Sequence, residues 1–336
     1  MQTEFAPRLV AWQREHGRHR LPWQQTRDPY RVWLSEIMLQ QTQVTTVLGY
    51  YDRFLARFPD VVALADASLD DVLALWSGLG YYSRARNLHR CAREVRDRHG
   101  GRFPASAAAL AELPGIGRST AAAIAAFCFG EKAAILDGNV KRVLGRVLAF
   151  DGDLSQARAE RELWSLAEAL LPDESIEAYT QGLMDLGAGL CSMRSPSCLL
   201  CPVQSVCRAR AMGEQERYPV RTRRLKRGRR ENWWLWIEHD GEVCLVPRPT
   251  TGVWAGLMSL PEYDSAAALE SAIADWDAVP EIQPRIEHAL THFDWVLHPV
   301  KVSPARRPAW QGARWTPYSR LDDVGLPAPL RRLLRG

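Results

Sequence analysis

Over the first two hundred residues, apolar side chains return at three- and four-residue intervals, the period of helices with one buried face. The segments YRVWLSEIMLQQTQVTTVLGYYDRFLARF (30–58) and LDDVLALWSGL (69–79) carry this pattern. Helix starts are marked by Asp28-Pro29, by Ser68 with Asp71 three residues on, and by Ser106 before AAALAEL. From about Glu231 the texture changes: NWWLWIEHDGEVCLVPRP is rich in Trp, Ile and Val, and Asp240-Gly241 separates two strand-like runs as a hairpin turn does. WVLHPVKVSP reads as a further strand and ALESAIADW as a helix. A mostly helical body followed by a smaller α+β module is the expected organisation.

Length and composition fit that picture. The chain has 336 residues, enough for about two domains, and its 46% apolar and 24% charged residues exclude a disordered, collagenous or coiled-coil chain. No apolar run approaches the ~20 residues that cross a bilayer. The start, MQTEFAPRLVAW, has Glu4 and no apolar core of a signal peptide, so a soluble intracellular protein is expected. Charge adds one feature. Residues 208–230 hold ten basic and two acidic side chains, whereas residues 231–336 are net negative and residues 1–207 are neutral. The run RYPVRTRRLKRGRR (217–230) has the composition of an exposed connector, and it equally suits a polyanion.

Four constellations carry candidate chemistry. In LPGIGRSTAAAIAAFCFG, Leu113-Pro114 closes a helix, Gly115-Ile116-Gly117 makes a tight turn, and Arg118-Ser119-Thr120 opens the next helix. Two glycines one residue apart let consecutive N–H groups face outward at a helix N-terminus, an anion site suited to a DNA phosphate. Asp137, in AAILDGNVKRVLGR, follows Gly117 by twenty residues; alone it reads equally well as the cap of a helix beginning near Val140. Glu36 has Val32, Trp33, Leu39 and Gln40 as helical neighbours. On an internal helix its carboxyl pKa rises, as a general acid needs; on an outer face it is an ordinary surface Glu. Cys191, Cys198, Cys201 and Cys207 fall within 17 residues, a density that suits tetrahedral zinc or a cubane iron–sulfur cluster. Cys91, Cys128 and Cys244 are isolated and read as buried, inert thiols.

The hairpin between its two helices resembles the helix-hairpin-helix motif of DNA repair glycosylases, whose hairpin is followed at this spacing by a catalytic Asp. The cysteine spacing x6, x2, x5 resembles the 4Fe–4S loop of the endonuclease III branch. With LPW at 21–23, SEIMLQQTQV at 35–44 and GLGYYSRARNLH at 78–89, nearly the whole chain resembles adenine DNA glycosylases of the MutY type.

That resemblance implies a mainly α, two-lobed helix-hairpin-helix glycosylase domain with a C-terminal α+β Nudix-like domain. The glycosylase domain is expected at 1–216, with a six-helix lobe at about 22–131 and a 4Fe–4S cluster lobe formed by 1–21 with 132–216. A basic linker (217–230) and an 8-oxoguanine recognition domain (231–336) follow. One 4Fe–4S cluster on Cys191, Cys198, Cys201 and Cys207 is the expected cofactor. The implied activity is hydrolytic excision of adenine mispaired with 8-oxoguanine or guanine in double-stranded DNA, by a cytoplasmic, nucleoid-associated bacterial monomer; the basic linker is also a place for a repair-protein partner. Glu36 is the expected acid and Asp137 the stabiliser of the sugar cation, the logic of a two-carboxylate glycosidase.

By the same resemblance, Tyr81 and Gln40 wedge into DNA beside the 8-oxoguanine, Gln41 and Thr42 contact the lesion strand, and Gly115, Gly117 and Arg118 lie on the backbone. Trp23, Ser119, Asn139 and Gln181 are candidates for the adenine pocket. Endonuclease III has a lysine where this chain has Ser119, so a monofunctional enzyme without Schiff-base lyase chemistry is expected, and Lys141 is not expected to be catalytic. Thr291 and His292 stand where relatives carry Ser-His of a Phe-Ser-His loop, with Leu290 in place of the Phe. The glutamates of the Nudix catalytic box are missing from GVWAGLMSLPEYDSAAALES, so this module is expected to bind and not hydrolyse. Competing readings are a glycosylase of the same fold with thymine mismatches or oxidised pyrimidines as target, and a noncatalytic zinc-containing DNA-binding protein.

Overall fold

A computed structural model describes residues 2–222 and 226–336; Arg223, Arg224 and Leu225 of the expected basic linker lie outside the described residues. The chain divides into two compact units. One comprises Met1–Tyr51, Asp60–Val62 and Arg90–Arg224, and the other Asp52–Pro59, Ala63–His89 and Leu225–Gly336. The helices in chain order are α1 (Gln2–His16), α2 (Pro29–Leu39), α3 (Val44–Arg57), α4 (Val61–Asp66), α5 (Leu69–Trp76), α6 (Ser83–His99), α7 (Ala107–Ala111), α8 (Arg118–Phe129), α9 (Gly138–Leu148), α10 (Ala157–Ala169), α11 (Ile176–Ala188), α12 (Arg208–Ala211), α13 (Ala266–Ala272) and α14 (Ala328–Arg335). None of them is long and apolar enough to cross a membrane.

The first unit is built around α8. Its residues Ala121 to Ala126 are all buried, and the five alanines among them let α2, α7 and α11 approach closely. Ile135, Leu136, Val140, Val143 and Leu144 fill the core beside it, with Phe5 and Leu9 of α1 and Leu183 and Leu186 of α11. The helical run 30–58 is two helices: α2 ends at Leu39, Gln41 takes a left-handed backbone (φ 59°), and the helix restarts as α3.

The second unit carries β1 (Gly228–His239), β2 (Glu242–Pro247), β3 (Met258–Ser259), β4 (Glu262–Tyr263), β5 (Glu281–Ile282), β6 (Ile286–Ala289), β7 (Phe293–Val302) and β8 (Arg314–Pro317). Strands run in the order β3-β2-β1-β7-β5, with β1 and β7 parallel from Gly228↔Phe293 to Ile237↔Val302. The β1–β2 turn is the expected Asp240-Gly241, with φ of 47° and 72°. Helix α13 packs on the sheet through Leu269, against Leu235, Ile237, Val300 and Val302.

The expected basic linker is tied down at both ends. Arg217 and Tyr218 bond to Asp151, Leu154 N–H donates to the Val220 carbonyl (3.0 Å), and Thr222 donates to Asp153, while residues 228–230 belong to β1.

The expected 4Fe–4S cluster lobe is corrected by the structure. Among the described residues, no three His, Cys, Asp or Glu side chains gather into a group that could hold a metal ion. Cys191, Cys198, Cys201 and Cys207 do line one cavity, together with Val143, Val147, Leu186, Leu190 and Val203. Three of the four sulfurs also have hydrogen-bond partners outside the group. Cys191 Sγ accepts from Arg146 at 3.4 Å, Cys198 Sγ accepts from Gln215 at 3.7 Å, and Cys207 Sγ donates to the Arg146 carbonyl at 3.5 Å. Burial pushes the Cys201 thiol up to about 12 and raises Cys207 as well. Closeness in sequence brings the four cysteines to one cavity, yet among the described residues they do not form a group that could hold a metal ion. The metal-binding and iron–sulfur expectations fall with that observation.

Candidate active site

The turn at Gly115–Gly117 is closed by Ile116 N–H to the Leu113 carbonyl (3.1 Å), and Gly115 has the positive φ (78°) that a Cβ would penalise. Helix α7 enters it, capped by Ser106, whose hydroxyl accepts from Ala109 N–H at 3.2 Å. Gly117 is the N-cap of α8 and offers no side chain to the first-turn N–H groups, so that helix end is left for an outside acceptor. Arg118 pairs with Glu168 and lies over the Trp164 ring, 4.0 Å from its centroid.

Glu36 sits half-buried on α2, between the core residues Ser35 and Ile37. Burial, and secondarily the negative charge of Asp137, push its carboxyl up to about 8. Asp137 precedes α9 and caps it: Oδ1 accepts from Asn139 N–H at 2.6 Å and Val140 N–H at 3.0 Å. The capping function and proximity to Glu36 therefore coexist in one carboxylate. The helix starts at Gly138, two residues before the expected Val140.

The α2–α3 turn holds the first set of expected DNA contacts. Gln40 Nε2 reaches Thr120 Oγ1 of α8 at 3.5 Å, Gln41 is left-handed, and Thr42 Oγ1 donates to the Gln40 carbonyl at 3.4 Å. Tyr81 belongs to the second unit, half-exposed at 45% with φ 48°, and its hydroxyl lies 3.3 Å from that of Thr291. Thr291 and His292 are exposed between β6 and β7, where Leu290 N–H donates to the Phe293 carbonyl at 3.0 Å.

The expected adenine-pocket residues have the following partners. Ser119 Oγ accepts from Leu136 N–H at 3.0 Å, one residue before Asp137. Asn139 Oδ1 accepts from Arg142 at 2.9 Å. Trp23 is buried edge-on against Tyr51 (5.3 Å), and Gln181 donates to Asp185 at 2.8 Å. Lys141 pairs with Glu160 at 2.6 Å.

Two residues not singled out in the sequence shape this site. The buried Arg142 bonds Asn139, the Gly187 carbonyl (2.5 Å) and the Cys191 carbonyl (2.8 Å). Gly187 lets Asn139 pack on α11, since an added Cβ there would lie 2.7 Å from Asn139 Cβ. The Asn139–Arg142 spacing of three on a helix was the available signal for the first; the second depends on a long-range contact.

Comparison with known proteins gives the family. The family model for the HhH-GPD superfamily base excision DNA repair protein matches residues 34–169, and that for the NUDIX domain matches residues 232–336. The adenine DNA glycosylase of Buchnera aphidicola (subsp. Schizaphis graminum) is 32% identical over 98% of this chain and 97% of its own. The chain belongs to the adenine DNA glycosylase family. The rat adenine DNA glycosylase is 44% identical, covering 99% of this chain and 78% of its own. A solved thermostable thymine-DNA glycosylase, 30% identical with a TM-score of 0.56, covers 63% of this chain and 97% of its own. As a member of the adenine DNA glycosylase family, the chain is a DNA glycosylase of base excision repair, a hydrolase of N-glycosidic bonds. Glu36, Gln40, Tyr81, the Gly115–Gly117 turn and Asp137 all lie within the HhH-GPD match, and Thr291 and His292 within the NUDIX match.

Proposed function

We propose that this enzyme excises adenine mispaired with 8-oxoguanine, and with guanine, from duplex DNA, using Glu36 as acid and then base and Asp137 as the carboxylate beneath the sugar. The observation that carries the reading is the raised pKa of Glu36, about 8, beside the Asp137 carboxylate. A carboxyl at that value is mostly protonated at neutral pH, while a second carboxylate is held in place by capping α9. The two-carboxylate division of labour needs that difference.

Adenine is a poor leaving group, so its departure requires a proton. Glu36 donates its carboxylic proton to N7 of the flipped base. The C1′–N9 bond then breaks with its electron pair moving onto the ring. Asp137 offsets the positive charge that develops at C1′ and the ring oxygen. Water adds to C1′, and its proton passes to the Glu36 carboxylate, which restores the acid. Flipping the base out of the stack costs a few kcal/mol, on the order of one base step; the Gln40–Thr42 turn and Tyr81 are proposed to fill the space. Ser119 offers no amine and Lys141 is paired with Glu160, which supports hydrolysis without lyase chemistry. The hydroxyls of Tyr81 and Thr291, 3.3 Å apart, support a shared task at the base opposite the adenine.

A base-release panel tests the substrate. Duplexes carrying adenine opposite 8-oxoguanine, adenine opposite guanine, and thymine opposite guanine are incubated with enzyme and the free bases separated chromatographically. Adenine is expected from the first two. Thymine as the sole released base would overturn the assignment.

A further inference from the structure

Residues 131–137 join α8 to α9 without helix or strand, yet Ala134, Ile135 and Leu136 are buried. A buried segment with no ladder partner must find acceptors for its N–H groups elsewhere. Glu131 N–H donates to the Ala125 carbonyl (3.1 Å) and Ala133 N–H to the Glu131 carbonyl (2.9 Å). Leu136 N–H donates to a side chain from outside the segment, the Ser119 hydroxyl at 3.0 Å. Leu136 is 3% exposed, so little water stands ready to replace that acceptor. The next residue is Asp137, whose own Oδ1 is fixed from the other side by Asn139 and Val140 N–H. Asp137 is therefore held between two anchors, and the first comes from the opening turn of α8, directly after the Gly115–Gly117 turn.

We infer that Ser119 is a positioning residue for Asp137: its hydroxyl oxygen pins the Leu136 amide and so sets where the Asp137 carboxylate stands relative to the reacting sugar. This inference rests on the proposed role of Asp137. It differs from direct contact with adenine, because it predicts a loss in the bond-breaking step and not in the binding of the base. It also links two parts of the site through one hydrogen bond, the helix end offered to the DNA backbone and the carboxylate beneath the sugar.

The test compares Ser119→Ala, Ser119→Thr and Asp137→Asn with wild type in full-length protein. Single-turnover adenine release and the Kd for a duplex bearing a non-cleavable adenosine analogue are measured, with amide hydrogen exchange at Leu136 as the structural readout. Ser119→Ala is expected to slow release about tenfold, the scale of losing one buried hydrogen bond. Its Kd should stay unchanged and its Leu136 amide should exchange faster. Ser119→Thr keeps the hydroxyl and should restore both rate and protection. An unchanged rate in Ser119→Ala, or a rate loss matched by an equal loss of binding, overturns the inference. So does a Thr variant that protects Leu136 but stays as slow as Ala. Wild-type release by Asp137→Asn would instead overturn the reading of Asp137, whatever Ser119 does.

Discussion

Glu36→Gln should make the protein more stable, and increasingly so as pH rises. The folded chain holds this carboxyl at about 8 against an ordinary value of 4.5, with burial the larger cause and the Asp137 charge the smaller. Between those two values the unfolded chain releases the Glu36 proton and the folded chain keeps it. The unfolded state then binds fewer protons, so stability falls with rising pH. Below 4.5 both states are protonated and the penalty vanishes; above about 8 both are ionised and it reaches its full size. At about 1.4 kcal/mol per pH unit, the penalty at pH 7 is on the order of 3 kcal/mol, and below about 1 kcal/mol at pH 5. Glutamine is neutral throughout and similar in shape, so the variant escapes this cost. Urea unfolding at pH 5, 7 and 8.5, followed by the far-ultraviolet helix signal that the first unit dominates, measures the difference. The variant's advantage should grow across that series and level off at its top. A pH-independent difference, or a wild type that gains on the variant toward alkaline pH, would refute the reasoning.

Three further outcomes follow from the same geometry. Single-turnover excision should be flat toward neutral pH and fall about tenfold per pH unit above about 8, as Glu36 loses its proton; a rate that climbs through that range contradicts the acid role. Gly187→Ala should cost about 1–3 kcal/mol in urea unfolding and slow excision too, because its Cβ would press on Asn139 in the turn that carries Asp137. Wild-type behaviour on both counts would show that the contact is not needed. Thr291→Ala should slow excision opposite 8-oxoguanine about tenfold while sparing excision opposite guanine. Equal losses on the two duplexes would remove Thr291 from lesion reading.

Local signals carried much of the architecture. The caps at Asp28, Ser68 and Ser106 were readable as short polar residues before periodic runs, and each accepts the N–H two or three residues on. Asp240-Gly241 was readable because a hairpin of this kind needs two positive φ values in a row. The break after Leu39 has no such local signal, since no Gly or Pro announces the left-handed Gln41; only the resemblance of LQQT to a glycosylase loop pointed to it. Glu36 was open between core and surface until the packing of α2 was known, because one residue cannot reveal what covers its helix. The Ser119–Leu136 bond spans seventeen positions and involves a backbone group, so side-chain identities give no hint of it. The four cysteines misled for a related reason. Their spacing fixes that they lie near one another, whereas a metal also requires their sulfur atoms to converge on a common centre, which spacing alone does not give.

The most direct measurement is single-turnover release of adenine from a duplex carrying adenine opposite 8-oxoguanine, with wild type beside Glu36→Gln and both shown folded by circular dichroism. Wild type should release adenine and leave an unbroken abasic strand, while Glu36→Gln should be slower by about a thousandfold, the scale of a lost general acid. A folded wild type that leaves the duplex intact, or a Gln variant that keeps pace with it, would contradict the account.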